Sequence, residues 1–211
     1  MTTTQQASPV LAPEDWVELT ERMLPYWGSH GMPATILEYG PSGTGKTVNG
    51  GYTWHRMGLY VGIEKSLRSI TAVTGIPFSE LWSVDLRTIQ DVVPWAQHVA
   101  AMNLASLREH GAPRVLGIQV DDLTLLADES YRRHAEHAER AVAGTDKGAD
   151  GFYGYQMVYR EMQKLYNVMK GCSLHLHINA HATPAGVDKK RGPYPGHPAM
   201  PSKPMGQKLP P

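Results

Sequence analysis

The chain has a single cysteine, Cys172, in 211 residues. One thiol excludes an internal disulfide, and no zinc-finger spacing exists. Neither sign of charge is in excess: 20 basic side chains balance 20 acidic ones. Neutrality gives no global argument for nucleic-acid binding, although it leaves room for a local basic loop. No apolar run approaches the length needed to span a bilayer, so no membrane role is expected. Met1 to Pro9 is polar and rich in Thr and Gln, without the basic and apolar regions of a signal peptide. No internal repeat is visible. What remains is an ordinary globular chain, 41% hydrophobic and 19% charged. It is long enough for one domain with a substantial core and too short for two large ones.

Read along its length, the chain alternates strand-like and helix-like segments. Residues 1–12 read as a flexible tail, 13–181 as the domain, and 182–211 as a Pro/Gly-rich loop or arm continuing it. Pro13, Glu14 and Asp15 open a helix that Pro25 and Gly28 should end. Strands are expected at 34–39, 59–63, 82–86, 115–120 and 174–178, with 34–39 and 115–120 buried. Helices are expected at 91–110, 129–143 (solvated) and 155–170, where Val158, Met162, Leu165 and Met169 share one face. The glycine-rich stretch Gly144 to Gly154 reads as a mobile loop. Strands alternating with helices predict an α/β fold with a mainly parallel sheet.

The sharpest feature is Gly40-Pro41-Ser42-Gly43-Thr44-Gly45-Lys46-Thr47. It satisfies every fixed position of G-x-x-x-x-G-K-[ST], with a strand expected before it and a helix after. The glycines let backbone amides turn inward as a nest for phosphate oxygens, and the helix adds its positive end. Lys46 places an ammonium against the β and γ phosphates, and the Thr47 hydroxyl is the expected Mg²⁺ ligand. The spacing therefore predicts a site for ATP and Mg²⁺. The metal needs a second anchor at a neighbouring strand end. Asp121 is the first choice and Asp122 the second, with one of the pair free to cap the following helix. Glu64 closes the 59–63 strand and is the expected general base for water, because such strand ends face the nucleotide. Glu38 is expected to be structural. Asn179 and His181 follow the last strand, where a polar group can sense the γ phosphate. A zinc cluster of His175, His177 and His181 is discounted, because the chain is expected to change direction before His181.

The ordered set GPSGTGKT, Leu59-Tyr-Val-Gly-Ile-Glu64, Val120-Asp-Asp-Leu-Thr124 and Ile178-Asn-Ala-His181 resembles the RecA-like P-loop ATPases encoded by tailed phages. The proline-rich end from Gly192 to Pro211 is similar to a stretch in that group, so the resemblance covers residues 34–211. It implies a RecA-like core, ATP hydrolysis coupled to DNA recombination, annealing or replication, and residence in the cytoplasm of a bacterial host. It implies Lys46 and Thr47 at the phosphates and Mg²⁺, Glu64 as the catalytic carboxylate, Asp121 on the metal side, and His181 as a sensor. Self-association as a filament or ring is expected, as is a single-strand annealing protein as partner. Lys189, Lys190 and Arg191 fall in a loop that faces single-stranded DNA in such proteins; three adjacent cations there can hold backbone phosphates.

The chain departs from the group at Asp122, where serine is usual, and at Gln119, which interrupts an apolar strand. It also stops at Pro211, where relatives continue through further strands, so the expected sheet is truncated at its C-terminal side. The neutral charge and the early stop support an alternative, an assembly or structural protein that uses ATP as a stabilising ligand or slow switch. A small-molecule kinase shares the loop, but the sequence offers no lid of clustered arginines.

Overall fold

A computed structural model describes residues 11–41, 43–49, 58–62, 64–75, 77, 82–144, 152–183, 186–188, 192–194 and 197–198. The order is α1 (Pro13–His30), β1 (Thr35–Gly40), a helical stretch α2 whose described residues are 46–49, β2 (Gly58–Gly62), α3 (Glu64–Thr74), β3 (Trp82–Val84), α4 (Ile89–His110), β4 (Gly117–Asp121), α5 (Leu123–Val142), α6 (Tyr153–Gly171) and β5 (His175–Thr183). Three short strands follow: β6 (Gly186–Asp188), β7 (Gly192–Tyr194) and β8 (His197–Pro198). The main sheet runs β1-β5-β4-β2-β3, all in parallel, and β8 joins β5 antiparallel. This is the α/β architecture that the alternation predicts. β5 crosses residue 181 and runs on to Thr183, where β8 pairs beside it.

Register sorts the sheet residues onto two faces, since partnered positions in a parallel ladder point the same way. Leu176, Ala180, Ile118 and Val120 share one face and are buried with residues of α1, α4, α5 and α6 in a single core. Each fully buried aliphatic side chain there contributes about 1.5–3 kcal/mol. Glu38, His177, Asn179, Gln119 and Asp121 share the other face, which carries the phosphate-type loop and α2. Gln119, an interruption in the sequence, is therefore a polar residue on a polar face.

Several elements differ from the sequence expectation, each for a tertiary reason. α1 does not stop at Pro25 but continues to His30. Trp27 is 3% exposed and its indole donates to the Ser173 carbonyl at 2.8 Å, so burial of the next turn outweighs the lost backbone bond. β1 is not a buried strand: it is a sheet edge, and Thr35, Ile36 and Tyr39 are exposed. α3 was not foreseen, and Glu64 is its first residue rather than the close of a strand. α4 starts two residues early because Thr88 and Asp91 form a reciprocal capping box. α5 begins directly after Asp122 and buries Leu123, Leu126, Ala127, Ser130 and His134 on one side. β5 runs straight through His181, without the expected change of direction. Residues after 183 are not all irregular, since β6 pairs with β7. The expected mobile loop lies largely outside the described residues, as do 199–211.

On the surface, Arg108 of α4 holds both Asp15 and Glu18 of α1. Arg108, with Arg22, draws the Glu18 carboxyl down to about 2.

Cys172 is fully buried at the end of α6, and burial pushes its thiol from 9.0 up to about 12. The folded thiol stays neutral at pH values where an unfolded one ionises. This contribution to stability is complete below pH 9 and is lost as pH rises from about 9 toward 12. Native protein at pH 8 should resist thiol-alkylating reagents and react fully once unfolded in guanidinium, as read by intact mass. Rapid labelling of the native chain would contradict the buried placement.

Candidate nucleotide site

The loop residues 40–47 join the C-terminal end of β1 to α2, and Gly43 and Gly45 adopt φ of 81° and 88°. Those left-handed values suit glycine and turn the backbone back over the strand. Ser42 lies outside the described residues. Lys46 is 8% exposed, and its ammonium donates to the carbonyls of Gly40 and Pro41, both at 2.9 Å. The loop thus folds around its own lysine.

The structure brings the loop and the first acid together. The Thr47 hydroxyl donates to Asp121 Oδ2 at 2.5 Å. Asp121 ends β4 and is 5% exposed. Thr47 lies in the first turn of α2, so the contact bridges loop helix and sheet. The two oxygens are hard ligands suited to a magnesium ion and its water shell.

Asp122 is otherwise engaged. Its Oδ1 accepts from the Thr124 backbone at 2.6 Å, capping α5, and its Oδ2 lies 3.0 Å from His181 Nε2. The Asp121–Asp122 peptide bond is cis. Burial pushes the Asp122 carboxyl upward, and the charge that His181 can carry opposes that rise. Asp128 is raised likewise, by burial first and then by Asp122.

β5 lies between the loop strand β1 and the acid strand β4. Asn179 and His181 therefore stand between loop and acids. Gly40 is the register partner of His181, and Glu38 of Asn179. Asn179 is fully buried, and neither amide atom has a partner among the described residues. A buried amide left without a bond is costly, so an orphan beside a phosphate-type loop marks a place for a ligand or ordered water. His181 donates its backbone N–H to Thr124 Oγ1 at 3.0 Å, so both its backbone and its ring meet the start of α5.

Glu64 begins α3 two residues beyond Gly62, whose register partner is Asp121. Its backbone thus starts near the acid, at the same edge of the sheet. Lys189, Lys190 and Arg191 fall between β6 and β7 and lie outside the described residues. Among the described residues no group of three or more His, Cys, Asp or Glu is placed to hold a metal ion. His175 accepts from the Ala34 backbone and His177 pairs with Glu38 instead. No helix among the described residues is long and apolar enough to cross a membrane.

Beyond the ends of β3 and β4, a cavity of about 450 Å³ opens against α5. Asp85, Arg87, Asp121, Asp122 and Arg132 are among its lining residues. Composition gave no sign of it, because its walls come from two stretches of chain, 85–87 and 121–132, far apart in sequence.

No family model matches the chain, and no curated protein matches it. Among solved structures, a prototypical ATPase from the type III secretion system of pathogenic bacteria is similar over 71% of this chain, at 16% identity and a TM-score of 0.42. The chain spans 43% of that ATPase's length. The site's own geometry carries the functional reading below.

Proposed function

We propose that this chain is a RecA-like P-loop ATPase that binds ATP with Mg²⁺ and hydrolyses it. The observation that carries the reading is the 2.5 Å contact between the Thr47 hydroxyl and Asp121, beside a lysine folded into a glycine loop. Thr47 and Asp121 would hold magnesium, which neutralises charge on the β and γ phosphates. Loop amides and Lys46 bind the phosphate oxygens, and Lys46 exchanges its bonds to Gly40 and Pro41 for bonds to them. Glu64 accepts a proton from water as the water oxygen bonds to the γ phosphorus. The bond from that phosphorus to the β–γ bridging oxygen breaks, and ADP and phosphate leave. Asn179 and His181 read the presence of the γ phosphate from β5.

The wider reading is that this cycle serves phage DNA recombination, annealing or replication in the cytoplasm of a bacterial host. Single-stranded DNA would meet Lys189, Lys190 and Arg191, a single-strand annealing protein would be a partner, and the chain would self-associate as a filament or ring. These points rest on the sequence resemblance.

One measurement tests the proposal: ATP hydrolysis with and without single-stranded DNA, with molar mass recorded in the same buffers. Turnover that rises with DNA is the expected result. Nucleotide binding without turnover or DNA effect would favour ATP as a stabilising ligand or slow switch. No affinity for any nucleotide would end the reading.

A further inference from the structure

Three polar residues beneath α2 have no part in the chemistry above: Glu38, His177 and Gln119. His177 and Gln119 are 2% and 0% exposed in the middle of the sheet. Gln119 Oε1 and His177 Nδ1 have no partner among the described residues. Aliphatic residues there would avoid that desolvation cost, so stability alone does not account for them.

Their bonds converge on one element. Asn49 Nδ2, in α2, donates to Glu38 Oε2 at 3.1 Å. His177 Nε2 meets the same oxygen at 3.0 Å. A carboxylate only accepts, so Nε2 carries the hydrogen and holds Glu38 in place from the neighbouring strand. Glu38 lies two residues before Gly40, and Asn49 lies two residues after Thr47. The Glu38–Asn49 bond therefore closes the phosphate-type loop at its base. On the other side, Gln119 Nε2 donates to the Thr47 carbonyl at 3.2 Å. Gln119 sits two residues before Asp121 on β4. The first turn of α2 is thus tied to β1 through one side chain and to β4 through another.

We propose that Glu38, His177 and Gln119 are positioning residues that clamp the first turn of α2 between β1 and β4, holding Lys46 and Thr47 in place before a ligand arrives. The benefit to binding rests on the nucleotide reading above, while the clamp itself is a property of the ligand-free chain. Its energetic sense is preorganisation: a loop already ordered loses less freedom on binding.

The test uses hydrogen exchange of amides 43–49 in the nucleotide-free chain, alongside Mg²⁺-ADP titration by calorimetry. Asn49 is exposed, so Asn49→Ala leaves the core untouched. Gln119→Leu breaks the other tie. Each variant should speed exchange across 43–49 by about fivefold or more. Each should weaken Mg²⁺-ADP binding about three- to tenfold, with the unfolding midpoint within about 3 °C of wild type. Glu38→Ala should act like Asn49→Ala, and the two combined should cost no more than either alone. Glu38→Gln, which keeps an acceptor oxygen, should recover part of the loss. Unchanged exchange in both Asn49→Ala and Gln119→Leu, or fully additive effects of Glu38→Ala and Asn49→Ala, would overturn the clamp. Faster exchange in a chain that binds no nucleotide would uphold the clamp and refute the ATPase reading.

Discussion

Replacing Lys46 with alanine is expected to weaken triphosphate binding by about 100-fold or more and to leave the fold nearly as stable as before. The ammonium would make charge-assisted bonds to two phosphates, and each such bond contributes about 1.5–3 kcal/mol. Among the described residues, the same ammonium bonds in the ligand-free protein to the Gly40 and Pro41 carbonyls. Pro41 is exposed and Gly40 partly so, and water can replace the lysine at both. The stability cost should stay at about 1 kcal/mol, a midpoint shift of about 2–4 °C for a domain this size. Calorimetric titration with a non-hydrolysable triphosphate, paired with thermal unfolding of the ligand-free variant, checks both halves. Lys46→Arg should bind almost as poorly, because a planar guanidinium does not replace a compact ammonium in a closed loop. Affinity within about twofold of wild type for either variant would mean that the loop does not grip phosphate.

That contrast follows from how the loop is built. Its glycines already hold left-handed values, and its lysine already points inward. A ligand therefore meets a formed cradle and exchanges two bonds for stronger ones. Loss of Lys46 removes the exchange and leaves the cradle.

The same construction explains which parts of the molecule the sequence revealed. The loop residues were legible because their spacing is dictated by local backbone geometry. Asp121 was legible because a carboxylate directly after an apolar strand has a defined place at the sheet edge. The cap at Asp122 was half legible: the pair Asp121-Asp122 announced one cap and one free acid, and only the Thr124 and Thr47 contacts assign them. The polar face was not legible. Gln119 and His177 look like faults in apolar strands until the register puts them beside Glu38 and under α2. Pro25 misled for a different reason. Proline removes one helical bond, but the buried Trp27 and its bond to Ser173, 146 residues away, continue the helix, and no local pattern contains that contact. α3 was missed because Glu64 has a ready meaning as a strand-end acid, and that meaning hides a helix start. The exposure of β1 could not be read either, since edge or centre depends on strand order.

Asp121→Asn should separate binding from turnover. The amide oxygen of asparagine can still accept from the Thr47 hydroxyl, now 2.5 Å from the carboxylate, so loop geometry should survive. The lost quantity is a negative charge beside the position where Thr47 would hold magnesium. Magnesium-free nucleotide should bind within about threefold of wild type or slightly more tightly, because one charge that repels phosphate is gone. Turnover with magnesium should fall by about 100-fold or more, a loss of the size seen when a group acting on transition-state charge is removed. Excess Mn²⁺ should recover part of that rate if the defect lies in metal retention, since manganese binds such oxygen sites more tightly than magnesium. Asp121 is 5% exposed, and burying a neutral amide costs less than burying a carboxylate, so the unfolding midpoint should hold or rise. Steady-state hydrolysis measured across a magnesium and manganese titration, with nucleotide affinity taken in EDTA, distinguishes these effects. An Asp121→Asn chain that turns over ATP at the wild-type rate would place the metal elsewhere. A chain that loses magnesium-free binding as well would mean that Asp121 shapes the loop rather than serving the metal.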